Sequence, residues 1–228
     1  MTTHTLTWLT ETEARDSMIQ AAHQLSTSGM LFRGAHANLS ARIAEDLILM
    51  TRGGSIAKLG PDDFAIVKLD GTVVSGEMEP TMKEIVQMHT GIYHARASVG
   101  SVIHSHAPHL TAFAVAGRSI PLIYEPVLRF GVTEPIPVVP WAPRGSEQSV
   151  SGILDAVRRE PGIPAVLMAN HGVIAFHTTP VSTADLLTTL DEAAELAIYA
   201  ESLGGAKTLP DQAAEAVRHR MQEFGSRR

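Results

Sequence analysis

Three histidines stand within one short stretch, SVIHSHAPH at residues 101–109: His104, His106 and His109. The first two are separated by a single serine and follow the apolar run GSVI. In a β-strand successive side chains alternate between faces, so an H-x-H pair there presents both imidazoles on one side. Two imidazoles a few ångströms apart suit a tetrahedral metal centre. A third candidate is His171 in PAVLMANHGVIAF, at the end of a second apolar run. Gly172 follows it, and a glycine lets the backbone turn so that the ring faces inward. Solvated strands also carry idle H-x-H pairs, but two unpartnered histidines on a buried face would be costly. A ligand set of His104, His106 and His171 removes that cost. Of the other histidines, His89 sits in a helical pattern as a core or supporting residue. His109 lies beyond the strand, His94 reads as surface, and His36 falls in a loop able to reach the site.

The elements that must position these residues follow from periodicity. Thr10 with Glu13 forms a capping-box pattern opening a helix that ends at Ser28–Gly29. ANLSARI and DLILMTR read as a hairpin around Ala44–Glu45, and FAIVKLDGTVVSG as a second one around Asp70–Gly71. Apolar residues at Ile85, Met88, Ile92 and Tyr93 predict a helix over 82–96. A strand over 100–105, a helix over 110–116, and proline-punctuated strands in IPLIYEP and PIPVVPW come next. Ser146 caps a helix to Arg159. Two strands joined at Asn170–Gly172 precede a long helix over 182–203, and a last helix follows Pro210. Hairpin links between neighbouring strands disfavour a purely parallel sheet. The expectation is an α/β fold with three layers, α/β/α, around a central mixed, largely antiparallel sheet, formed by one domain over 1–228.

Bulk properties narrow the function. The 228 residues are 44% hydrophobic and 18% charged, with a formal net charge of −6. Scattered cations and a negative balance speak against a nucleic-acid or anionic-membrane partner. The absence of cysteine excludes thiolate metal sites, disulfides and cysteine nucleophiles. Any metal must therefore sit on imidazole, carboxylate or carbonyl ligands. The acidic, polar N-terminal stretch and the lack of long apolar runs point to the cytoplasm.

The run EPTMKEIVQMHTGIYHARASVGSVIHSHAPHLTAFAV, followed by VLMANHGVIAF and a long alanine- and glutamate-rich helix, resembles the class II aldolase/adducin family. Its members include fuculose-phosphate and rhamnulose-phosphate aldolases and ribulose-phosphate 4-epimerase. The likeness extends in order from about Glu11 to Gly205. It implies a divalent metal, usually zinc, with manganese or iron as alternatives, held by His104, His106 and His171. It also implies a glutamate acid/base from the preceding helix, for which Glu84 is the nearest candidate, and a homotetramer with active sites at subunit interfaces. The family pattern puts serine-type residues before that glutamate and a histidine four positions after it. Here Met82 and Lys83 precede Glu84, and His89 lies five positions on. In the anion-binding loop GAHANLS keeps Asn38 and Ser40 but carries His36 and Ala37. Gly53 and Gly54 in TRGGS, with Lys83, complete the candidate anion contacts. The implied activity is a metal-dependent carbon–carbon lyase, an aldolase acting on a ketose phosphate. Alternatives are a decarboxylase of a sugar acid or aromatic carboxylate, a 4-epimerase, and a non-catalytic adducin-like module.

Overall fold

The computed structural model describes residues 8–33 and 36–225. Gly34 and Ala35 of the GAHANLS loop and the last three residues lie outside them. Eight strands form one sheet in the order β4-β3-β2-β1-β5-β8-β7-β6. They are β1 (Ala37–Arg42), β2 (Leu47–Thr51), β3 (Phe64–Lys68), β4 (Val73–Ser75), β5 (Ser101–Ser105), β6 (Val138–Val139), β7 (Ala165–Met168) and β8 (Gly172–His177). Every neighbouring pair is antiparallel except β6–β7. The sheet is therefore mixed and largely antiparallel, as the hairpin links require.

Helices α1 (Glu11–Thr27), α4 (Pro108–Ala116) and α6 (Pro180–Glu201) cover one face, and α3 (Val86–Ala95) with α5 (Glu147–Arg159) the other. Strand alternation divides the core between the two layers. On β5, Ile103 packs under α1, α4 and α6, while Val102 packs under α3 and α5. His104 shares the face of Val102, so the α3 side of the sheet carries the chemistry. Helix ends are fixed as the sequence suggests. The Thr10 side chain accepts from the Glu13 N–H while the Glu13 carboxylate accepts from the Thr10 N–H, and Thr179 caps α6. No helix among the described residues is long and apolar enough to cross a membrane.

Two expectations are corrected. The helix over 82–96 is broken into α2 (Pro80–Lys83) and α3. At the break the N–H groups of Ile85 and Met88 bond to carbonyls three residues back, at Met82 and Ile85. These tighter turns shift the helix phase between Lys83 and Val86. IPLIYEP forms no strand: its prolines interrupt ladder pairing, and Glu125–Phe130 coils into a 3₁₀ turn. Of PIPVVPW only the two residues of β6 pair in the sheet. A terminal helix, α7 (Ala213–Gly225), packs against that 3₁₀ turn.

Candidate active site

His104 closes the inward face of β5, His106 stands just past the strand end, and His171 occupies the turn from β7 to β8. The three rings lie with centroids 4.9, 4.9 and 5.2 Å apart. One ring nitrogen from each comes within 4.8 Å of the others. The turn that carries His171 depends on Asn170, whose φ of 56° is left-handed, a conformation asparagine tolerates better than most residues.

Gly172 has a different role from the one expected. A Cβ there would sit 2.6 Å from the Ser105 carbonyl oxygen and 2.7 Å from the His106 ring. The residue is glycine because the Ser105 carbonyl and the His106 ring occupy that space, and no left-handed backbone is involved. Gly172→Ala is expected to cost about 1–3 kcal/mol of stability by overpacking and to push His106 away from His171. Urea unfolding and metal titration of the variant would check both effects.

The imidazoles have the electronic form a metal requires. Burial, followed by the neighbouring His171 and His106, holds His104 well below the usual histidine range. Burial also lowers His106 and His171, and the Arg144 guanidinium adds to the effect at both. All three rings are therefore neutral near pH 7 and offer lone pairs. The His104 Nδ1–H donates to the Val173 carbonyl at 2.9 Å, which leaves Nε2 as its ligand atom. His106 Nε2 is buried with no hydrogen-bond partner among the described residues. An orphaned nitrogen on a ring that sits beside two other imidazoles, with no thiolate nearby, fits a divalent cation.

The segment after His106 is anchored from across the layer. Helix α4 has no cap of its own. Buried Asp191 of α6 instead accepts from the N–H groups of His109 and Leu110, both at 2.9 Å, and from His109 Nδ1 at 2.7 Å. His109 is thus a supporting residue, bonded away from the triad.

A cavity of about 120 Å³ opens over the histidines. Its wall includes His36, Asn38 and Gly54 from the anion-loop side, Met82, Ile85 and Met88 from the α2–α3 side, and Arg144 from the loop before α5. The structure so brings together His104, His106, His171, His36, Asn38 and Gly54. It does not bring Gly53, Lys83 or Glu84 into this wall. A Cβ on Gly53 would meet the Glu79 carboxylate at 2.5 Å, so Glu79 covers that residue. Lys83 is exposed on the outer side of α2. Glu84 stands at the helix break with its side chain 59% exposed, and its carboxylate lies 3.4 Å from Arg144. The phase shift at the break turns Ile85 inward in its place. No carboxylate lines the cavity among the described residues.

Two features escaped the sequence. Arg144 is the one arginine or lysine of the wall among the described residues, whereas APRGSE reads more readily as a salt bridge or loop anchor. Fully buried His89 bonds to both Asn38 and Ser40, a network between residues about fifty positions apart.

The family profile described as Class II Aldolase and Adducin N-terminal domain matches residues 16–198. A 5-methylthioribulose-1-phosphate/5-deoxyribulose-1-phosphate aldolase of Rhodospirillum rubrum is 30% identical over 92% of both chains. A 3-oxo-tetronate 4-phosphate decarboxylase of Haemophilus influenzae is 27% identical over 82% of this chain and 88% of its own. Among solved structures, an L-fuculose 1-phosphate aldolase superposes with a TM-score of 0.81 at 22% identity. That match covers 94% of this chain and 98% of the other.

Proposed function

The chain belongs to the class II aldolase and adducin family, and from that premise we propose that it is a single-domain, metal-dependent carbon–carbon lyase that cleaves a ketose phosphate by retro-aldol chemistry. The observation that carries this reading is the convergence of three neutral imidazoles, one with an orphaned nitrogen, beneath a cavity edged by Arg144. Similarity to the Rhodospirillum rubrum aldolase along nearly the whole chain supports it.

His104, His106 and His171 would hold the metal. Zinc suits three imidazoles, with manganese or iron as alternatives. When bound, the ion supplies Lewis-acid polarisation of the substrate carbonyl. The chain's own groups do the rest. The Asn38 side chain and the Gly54 backbone face the substrate oxygens from the loop side. The guanidinium fork of Arg144 takes a phosphate or carboxylate. Met82, Ile85 and Met88 form an apolar wall that excludes water and fits a deoxy or thioether carbon tail. Glu84 is the proposed proton carrier. It takes the hydroxyl proton beside the scissile bond, the bond electrons pass to the carbonyl, and the proton returns to carbon. To reach the cavity its carboxylate must leave Arg144.

The absence of a lining carboxylate favours a second reading, decarboxylation. Loss of CO₂ needs no base to begin, only electron withdrawal and a later proton donor. Zinc-loaded protein given ketose 1-phosphates and phosphorylated 3-oxo sugar acids separates the two. Release of dihydroxyacetone phosphate with an aldehyde supports the aldolase. Release of CO₂ alone replaces it with the decarboxylase, and neither product with any such substrate overturns both.

We further propose a homotetramer with interfacial sites, and the cytoplasm, where phosphorylated sugars are held, as its compartment. A cavity of about 120 Å³ is smaller than the roughly 300 Å³ or more of most small-molecule sites, so a neighbouring copy completing it is in keeping with the substrate's size. Leu196, Tyr199 and Leu203 are exposed at helical spacing along one face of α6 and its end, with Val115 exposed on adjoining α4. The paired substitutions Leu196→Glu and Tyr199→Glu are expected to convert the tetramer to smaller species by light scattering. An unchanged mass would remove this face from the interface.

A further inference from the structure

We propose that His89 is a positioning residue that holds the Asn38 amide with its N–H donors turned into the cavity. The inference rests on the reading of that cavity as an anion-binding substrate site.

The argument is one of hydrogen-bond polarity. His89 is fully buried on α3. Its Nε2 lies 2.6 Å from Asn38 Oδ1, and its Nδ1 lies 2.8 Å from Ser40 Oγ. Ser40 Oγ in turn lies 2.8 Å from the Tyr93 hydroxyl. Burial pushes the His89 pKa down to about 3, so the ring is neutral, with one N–H and one lone pair. A carbonyl oxygen can only accept, so Nε2 carries the hydrogen and donates to Asn38. Nδ1 must then accept from the Ser40 hydroxyl, whose oxygen accepts from Tyr93. Each member of the chain has one possible role once the Asn38 oxygen is fixed.

The consequence falls on the other end of the amide. Asn38 lines the cavity, and with Oδ1 occupied its Nδ2 has no partner among the described residues. Two N–H donors therefore face the cavity, on β1 directly across from His104 in the ladder. Without His89, the amide could rotate and present its oxygen to an anionic substrate, which would repel it. The supporting layout is periodic. Asn38 and Ser40 share one face of β1, and His89 and Tyr93 share one face of α3 at i and i+4. A helix packed on a strand so meets two residues with two.

The two ring nitrogens can be tested separately. Glutamine can still donate from near the position of Nε2, whereas asparagine reaches only the Ser40 side. In zinc-loaded protein, His89→Gln is expected to bind inorganic phosphate about as tightly as the wild type. His89→Asn and Asn38→Ala are expected to weaken it by about tenfold or more, the usual worth of a hydrogen bond to a charged group. Adding His89→Asn to Asn38→Ala should cost nothing further, because the histidine acts through the amide. Calorimetric titration reads these values. Independently of any ligand, nitrogen NMR should report the Nε2–H tautomer of His89 and a distinct Asn38 amide pair lost in His89→Asn. An Nδ1–H tautomer, an unchanged Asn38 amide in His89→Asn, or additive losses in the double variant would overturn the proposal. Wild-type protein that ignores phosphate while the NMR result holds would count against the substrate reading and leave the positioning role standing.

Discussion

His104→Ala and His171→Ala are expected to purify with about a tenth or less of the wild-type metal and with turnover lowered by about 10³-fold or more, the several kcal/mol of charge stabilisation that a Lewis acid supplies. Three imidazoles are the whole ligand set among the described residues, so losing one leaves two, too few for a tetrahedral ion. The two variants should differ in stability. His104 is buried and its Nδ1–H serves the Val173 carbonyl, so its removal also loses a buried hydrogen bond, at about 0.5–1.5 kcal/mol. His171 sits in a turn and is only half-buried, so His171→Ala should fold nearly as well as metal-free wild type. That makes it the cleaner test. A chelator should lower the melting temperature of the wild type, because metal binds only the folded triad, and leave His171→Ala where it was. Mass-spectrometric metal content beside the thermal scan decides the matter. Full metal occupancy in His171→Ala would take that residue out of the ligand set.

What the sequence made legible, and what it did not, follows from how far each signal travels along the chain. His104 and His106 were readable because a period of two is local. Pairing His171 with them needed a second buried strand, and Gly172 pointed there for a partly mistaken reason. Its identity is set by the Ser105 carbonyl and the His106 ring, neighbours some 66 residues away that no local pattern encodes. The hairpins around Ala44–Glu45 and Asp70–Gly71 depended on turn residues alone and came through intact. IPLIYEP did not, because its β-branched residues suggested a strand and its prolines denied one, and only packing arbitrates such a conflict. The break at Glu84–Ile85 was equally hidden. The apolar spacing from Ile85 to Tyr93 is continuous, and a change to tighter turns at its start leaves no mark in composition. The network joining Asn38, Ser40, His89 and Tyr93 required knowing that α3 lies across β1.

That hidden break leaves Glu84 outside the cavity wall and makes its substitution the decisive test. Glu84→Gln is expected to lower the retro-aldol turnover number by about 10²–10⁴-fold, the range of a positioned general acid/base, with metal content unchanged. The carboxylate now faces Arg144 at 3.4 Å, both side chains about half-exposed. An exposed pair of this kind contributes about 1 kcal/mol or less, so giving it up on substrate binding costs little. Gly145 keeps the two in register. With φ of 73°, it lies so close that a Cβ would come 2.7 Å from the Glu84 Cβ and carbonyl oxygen. An anionic substrate group that occupies the Arg144 fork would therefore release Glu84 beside the cavity it must enter. On this account Arg144→Ala raises KM far more than it lowers kcat, since it removes binding but leaves the proton carrier. Glu84→Gln does the reverse. Steady-state kinetics of both variants on one substrate separate the roles. If Glu84→Gln keeps its turnover within about tenfold, this carboxylate is not the acid/base. The cavity without a lining carboxylate then favours chemistry that begins by losing CO₂, and the same variant should release it at the wild-type rate.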